Sequence, residues 1–202
     1  MSRPDFSTLT IDPAKMTFQP PTEADLAGPD CRILCFDQTL TSTGFAVLQR
    51  RDNDISIIAR DTLRSKTEKE GFEGDFDQAL QIEQQMEDKV AEWGSIARIL
   101  IVHETPAVAN KRTMAKGGPR VGVSSRMAGQ ALRSVAKRYG VPVMMLNSQA
   151  AKKFVCGNYK ADKAEAHASL RNLTWLEGLD TLTNEHQRDA VLLGLLAMME
   201  IS

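Results

Sequence analysis

The chain has 202 residues, 42% apolar and 25% charged, enough apolar material for one buried core. No apolar run nears the ~20 residues of a membrane span, which excludes an integral membrane protein. Three cysteines, Cys31, Cys35 and Cys156, are too few and too irregularly spaced for a disulfide framework or a metal knuckle, and fit a reducing compartment.

Residues 1–30 hold five of the eight prolines and carry Asp5, Asp12, Glu23 and Asp25. They lack the pattern of a secretory or transit signal and are expected to form an extended or disordered leader, with one domain over 31–202. Residues 32–37 are an apolar run closed by Asp37, as a buried strand would be. The polar stretch 38–43 and Gly44 lead into a second apolar strand at 45–48. A turn at 52–54 precedes a third at 55–59, giving an antiparallel meander. From 75 to 93 the period changes. Phe76, Leu80, Ile82, Met86, Val90 and Trp93 recur near helical spacing, and Gly94 is placed to stop that helix. Residues 96–102 read as a strand parallel to the first, ending at His103 and Glu104. After an irregular Gly-containing segment at 105–124, a helix is expected at 125–139 and a strand at 141–146. Helices at 148–155, 162–173 and 184–199 complete a mixed α/β sheet flanked by helices.

The net charge of −1 conceals a gradient. Residues 1–106 carry 11 Lys/Arg against 19 Asp/Glu; residues 107–163 carry 12 against Asp162 alone, a balance of +11; residues 164–202 carry 2 against 6. The plain alternative for the middle block is a solvated basic face, but its helix, Gly-rich loop and lysine cluster better fit a polyanion-binding surface.

Asp37 and Glu104 each end an apolar strand. In α/β sheets ligands bind outside the carboxyl ends of the strands. On neighbouring strands the two carboxylates would share a cleft and repel, and a hard divalent cation, Mg²⁺ or Mn²⁺, would relieve the conflict. His186 and Asp189 lie at i and i+3 in the first turns of the last helix and share a face. Singly, each of the four has an ordinary reading as a cap, a turn residue or a helix-dipole partner; together they make a four-ligand set.

The run from Ile33 to Phe45, with Asp37 followed by Leu40-Thr41-Ser42-Thr43-Gly44, resembles the opening motif of RuvC-type Holliday-junction resolvases, in the version seen in bacteriophage members. These belong to the RNase H-like, or retroviral-integrase-like, nucleases. Ile101-Val102-His103-Glu104 is similar to the second acidic strand of that family. Lys152-Lys153-Phe154-Val155-Cys156-Gly157 with Ala161-Asp162-Lys163 resembles its lysine segment, and His186-Gln187-Arg188-Asp189-Ala190 its C-terminal helix start. The resemblance spans about 31–200, four motifs in order. This chain departs from it at His186, where many members carry Asp, and after Glu104, where Pro106-Ala107-Val108 stands in place of an aromatic wedge.

The resemblance implies an RNase H-like sheet and metal-dependent hydrolysis of DNA to a 5′-phosphate and a 3′-hydroxyl. It assigns two divalent ions to Asp37, Glu104, His186 and Asp189, with Lys163, and secondarily Lys152, near the scissile phosphate. Lys111, Arg112, Lys116 and Arg120 on the Gly-rich loop, Arg126 on the following helix, and Lys152, Lys153, Lys160 and Lys163 further on would bind DNA. A homodimer matching the two-fold symmetry of a four-way junction is implied, as is a cytoplasmic location in a bacterium or a phage-infected host. Three alternatives stand beside it. One is an RNase H-like nuclease of other specificity, exonucleolytic or directed to RNA–DNA hybrids. A second is a non-catalytic branched-DNA-binding module. The third is an actin- or sugar-kinase-type ATP-binding domain, disfavoured because such proteins need a second domain and a glycine soon after the first acid, where this chain has Gln38-Thr39.

Overall fold

The structure, a computed structural model, describes residues 30–51, 54–94, 99–104, 126–158 and 160–200. The strands are β1 (Asp30–Asp37), β2 (Ser42–Arg51), β3 (Asp54–Arg64), β4 (Ile99–Glu104), β5 (Val143–Leu146) and the two-residue β6 (Leu176–Glu177). The helices are α1 (Gly71–Gly94), α2 (126–139), α3 (Ser148–Cys156), α4 (Lys163–Arg171) and α5 (Glu185–Glu200), with a 3₁₀ turn at Leu179–Thr181. The strands form one sheet in the order β5-β4-β1-β2-β3-β6. The first three make the expected antiparallel meander; β4 joins β1 in parallel, β5 joins β4 in parallel, and β6 runs parallel to β3. This is the mixed sheet flanked by helices that the pattern predicts. Of the expected leader over 1–30, residues 1–29 lie outside the described residues, as do 52–53, 95–98 and 105–125, while Asp30 is the first residue of β1 and so moves that boundary back by one.

Strand β1 is apolar without alternation because both faces of the sheet are covered. Ile33 and Cys35 face the core shared with α5, where Ala190, Val191 and Leu195 are buried. Leu34 and Phe36 face the opposite core, with Met86 and Val90 of α1 and Leu132 and Val135 of α2. Helix α5 lies close on the sheet: a Cβ at Gly194 would fall 2.3 Å from Cys35 Sγ and 2.5 Å from Leu48 Cδ1, so a larger residue there would lift the helix.

β6 and the 3₁₀ turn have no counterpart in the sequence reading, and β2, β3 and α1 differ from it in extent. β2 and β3 outrun their apolar stretches because backbone pairing continues through polar positions such as Gln49, Arg50 and Asp61. α1 begins at Gly71, not near Asp75. Its inner face is Ile82, Met86 and Val90, spaced by four and fully buried, whereas Phe76 and Leu80 are 50% and 52% exposed. Two residues of helix turn 200°, so Leu80 and Ile82 cannot share a face; Phe72, Phe76 and Leu80 form an outer row instead. No helix among the described residues is long and apolar enough to cross a membrane.

His103 is fully buried on the α2 side of β4, 3.5 Å from where a Gly129 Cβ would be. Its Nδ1 lies 2.9 Å from the Glu104 carbonyl, which can only accept, so Nδ1 carries the proton. Burial drives its pKa down to about 4. The unfolded chain takes up this proton from about pH 6.5 downward and the folded one only near pH 4, so His103 subtracts stability as pH falls through that window and none above it. Relative to His103→Leu, the wild type should lose about 2 kcal/mol more between pH 7.5 and 4.5, read from urea midpoints. Equal acid sensitivity of the two proteins would show that His103 titrates freely.

Candidate active site

Side chains alternate across a strand, so Asp37 falls on the same face as Ile33 and Cys35, and Glu104 on the same face as Val102. The β1–β4 register runs to Phe36 opposite His103, and the next residue on each strand is the acid. Both carboxylates therefore leave the sheet at one end and on one face, the face that α5 covers. Gln38 closes this seam: its side-chain amide accepts the Glu104 N–H at 3.0 Å and donates to the Glu104 carbonyl at 2.5 Å. One side chain thus extends the strand pairing past the end of β1.

The Ser/Thr-rich stretch after Asp37 satisfies itself. Thr39 Oγ1 donates to the Ser42 carbonyl at 2.8 Å and accepts the Ser42 N–H, while Thr43 Oγ1 donates to the Thr39 carbonyl at 2.8 Å. The turn delivers Gly44 opposite Asp37 in the β1–β2 register. A Cβ at Gly44 would lie 2.0 Å from the His186 carbonyl oxygen, so only glycine lets the first turn of α5 come down there. That turn is also tied to β3, because the Asn184 side chain accepts the Gln187 N–H at 3.1 Å and donates to Thr62 Oγ1 at 2.7 Å.

These constraints bring the sequence-predicted residues together. Asp37, Glu104, His186, Asp189, Lys163 and Lys152 all line one cleft of about 300 Å³, with Thr39 and Ser148 beside them. His186 Nδ1 lies 3.1 Å from Asp37 Oδ2, and this bond, ahead of any other influence, raises the histidine pKa. Burial pushes the Glu104 carboxyl above its usual range; the Asp37 and Asp189 charges add to this, while a Ser148 hydrogen bond and Lys152 oppose it. Lys163 contacts Asp189 Oδ2 at 2.7 Å and Glu185 Oε2 at 3.3 Å. Burial works against its charge, but these two bonds outweigh burial and leave its pKa raised. A capping box between Asp162 and Glu165 fixes the α4 terminus that carries Lys163.

As placed, no three His, Cys, Asp or Glu side chains among the described residues stand close enough together to hold an ion. His186 is paired with Asp37, and Asp189 with Lys163 and His167. Of the expected DNA-binding residues, Lys111, Arg112, Lys116 and Arg120 lie outside the described residues. Arg126 is exposed at the described start of α2, and Lys153 and Lys160 are exposed near the cleft-lining Lys152 and Lys163.

Sequence reasoning missed Gln38, Ser148 and His167. Gln38 and Ser148 carry no signal beyond their positions, one directly after the first acid and the other opening α3. His167 follows Lys163 by four residues and so shares its helix face.

No family model matches the sequence, and no curated protein matches it. Solved structures do match in three dimensions. Thermus thermophilus RuvC in complex with a Holliday junction substrate gives a TM-score of 0.63 at 15% identity, over 82% of this chain and 91% of that one. A further T. thermophilus RuvC structure gives 0.59 at 14%, over 81% and 90%. The yeast mitochondrial Holliday junction resolvase Ydc2 gives 0.56 at 12%, over 86% and 78%. At these identities the likeness is one of fold: the six-stranded mixed sheet with, among the described residues, five flanking helices is the RNase H-like fold of the RuvC-type resolvases.

Proposed function

We propose that the protein is a divalent-metal-dependent endonuclease acting on branched DNA, with the four-way junction as its preferred substrate. One observation carries this reading: Asp37, Glu104, His186 and Asp189 line a single cleft at the carboxyl ends of two adjacent parallel strands, together with Lys152 and Lys163. The RuvC fold supports it, since one of the matching structures holds a Holliday junction substrate.

The residues present fit divalent ions by their chemistry. Three carboxylates share one cleft, and the Glu104 carboxyl is already held toward neutrality by burial and by Asp37 and Asp189. A cation would remove that repulsion. The donors are hard oxygens and one imidazole, a set suited to Mg²⁺ or Mn²⁺. Asp37, Glu104, His186 and Asp189 would hold the ions once the His186–Asp37 and Lys163–Asp189 contacts open. The chemistry that two such ions supply when bound is activation of a water and stabilisation of the departing oxygen. Lys163 and Lys152, freed toward the phosphate, would offset charge developing there. The +11 block would grip the DNA backbone, giving salt-sensitive binding with little dependence on sequence. A homodimer would present two such clefts to the two-fold symmetric junction.

Asp37→Asn should slow Mg²⁺-dependent cleavage of a four-way junction roughly a hundredfold or more, while junction binding in a gel-shift assay stays within about twofold. Wild-type turnover by this variant would exclude Asp37 as a ligand. Cleavage of a junction, a fork, a linear duplex and an RNA–DNA hybrid in parallel ranks the substrates, and preference for the hybrid would overturn the branched-DNA reading.

Imidazole suits the softer first-row ions better than Mg²⁺, so the wild type should be faster in Mn²⁺ than in Mg²⁺. His186→Asp should narrow or reverse that ratio. Rates in each metal for both proteins test this, and an unchanged ratio would remove His186 from the donor set.

Replacing Lys111, Arg112, Lys116 and Arg120 by Ala should weaken junction binding and flatten the plot of log affinity against log salt by about one unit per phosphate-contacting side chain lost. An unchanged slope would mean that this segment does not touch the backbone.

A further inference from the structure

We propose that His167 is a positioning residue that makes Asp189 a one-oxygen metal ligand. The inference rests on the metal reading above and deepens it.

Helix α4 carries Lys163 and His167 four residues apart on one face, and both reach Asp189 of α5. The two carboxylate oxygens are divided between them. His167 Nε2 lies 2.7 Å from Oδ1, and Lys163 Nζ lies 2.7 Å from Oδ2. A carboxylate only accepts, so His167 Nε2 carries the proton and donates it. The two partners differ in kind. Lys163 sits on a long, partly exposed stem at the rim of the cleft and can swing away. His167 is buried, its flat ring has two torsions, and the α4 terminus behind it is locked by the capping box.

Rotation of the Asp189 carboxylate would break the His167 bond and leave a buried N–H unmatched, so Oδ1 stays fixed. Oδ2 then remains the oxygen offered to the cleft, shared in turn between Lys163 and an ion. Without His167, Asp189 could turn both oxygens to the Lys163 ammonium, and the ion would lose its prearranged donor. Hydrogen-bonding partners of this type behind metal-binding side chains are typically worth 10- to 100-fold in metal affinity.

The test is calorimetric titration of the full chain with Mn²⁺ alone, with thermal unfolding as the check on folding. His167→Leu should bind Mn²⁺ about 10- to 100-fold more weakly than wild type. His167→Gln, whose amide N–H can reach Oδ1, should stay within about threefold of wild type. On junction DNA, His167→Leu should need correspondingly more Mn²⁺ for half-maximal rate, with the saturated rate largely recovered. If His167→Leu does not fold, His167→Asn takes its place, because its shorter amide cannot span the gap. Equal Mn²⁺ affinity of wild type and the Leu or Asn variant would overturn the role of His167 and leave the metal reading standing. Equally weak binding by the Gln variant and the Leu or Asn variant would also overturn it, since the hydrogen bond would not be what matters. Wild-type protein that binds no Mn²⁺ would overturn the metal reading and this inference with it.

Discussion

The first turn of α5 rests on Gly44 so closely that a single methyl group would collide with the His186 backbone. The geometry of the cleft depends on that approach. It sets His186 beside Asp37, which pairs with Gly44 across β1 and β2, and from there the pitch of the helix carries Asp189 to the same cleft. The approach is held at three places: by Gly44 under the first turn, by Asn184 bonded to Thr62 of β3, and by Gly194 further along, against Cys35 and Leu48. A backbone-to-backbone contact tolerates little adjustment, because neither side has a rotamer to change.

Around this fixed frame the charges are balanced locally. Asp37 has His186, Asp189 has Lys163 and His167, and Lys163 also has Glu185. Glu104 has no such partner at contact distance among the described residues. It is steadied by a Ser148 hydrogen bond and the more distant Lys152 charge, and burial holds its carboxyl toward the neutral form. The cleft is thus uneven: two acids are bonded to basic side chains, and the third is held by burial toward its neutral form. Gln38 holds the backbone of that third acid on both its polar groups, so Glu104 keeps its place whichever form it takes.

Much of this could be read from the sequence, for a physical reason. An acid at the end of a run such as Ile33–Phe36 or Ile99–Val102 contradicts the burial that the run itself predicts, so Asp37 and Glu104 stand out. His186 and Asp189 are legible as a pair because helical spacing puts them on one side. What was hidden follows different rules. His167 looks like any polar residue of a short helix, and its partner lies 22 positions away on another helix. The extension of β2 and β3 through Gln49, Arg50 and Asp61 is set by backbone pairing, which leaves no apolar trace. Phe76 and Leu80 mislead because their hydrophobicity suggests burial, while the register of α1 is fixed by Ile82, Met86 and Val90.

The hydrogen bond from Gln38 to the Glu104 backbone spans 66 residues, and that from His186 to Asp37 spans 149. Contacts so far apart in the chain form only after long loops have closed, which places them late in folding. The parallel seam of β1 and β4 must join, and α5 must dock, before all three acids and His186 meet. A ribosome-bound or partly folded chain that has not reached Asp189 can bring Asp37 and Glu104 together through the β1–β4 seam but lacks the His186 and Asp189 half of the cleft. On the proposed function, the capacity to cut DNA would therefore appear in one step at the completion of the native sheet and helix packing, and a chain that misfolds or is still being made would pose no hazard to the DNA around it.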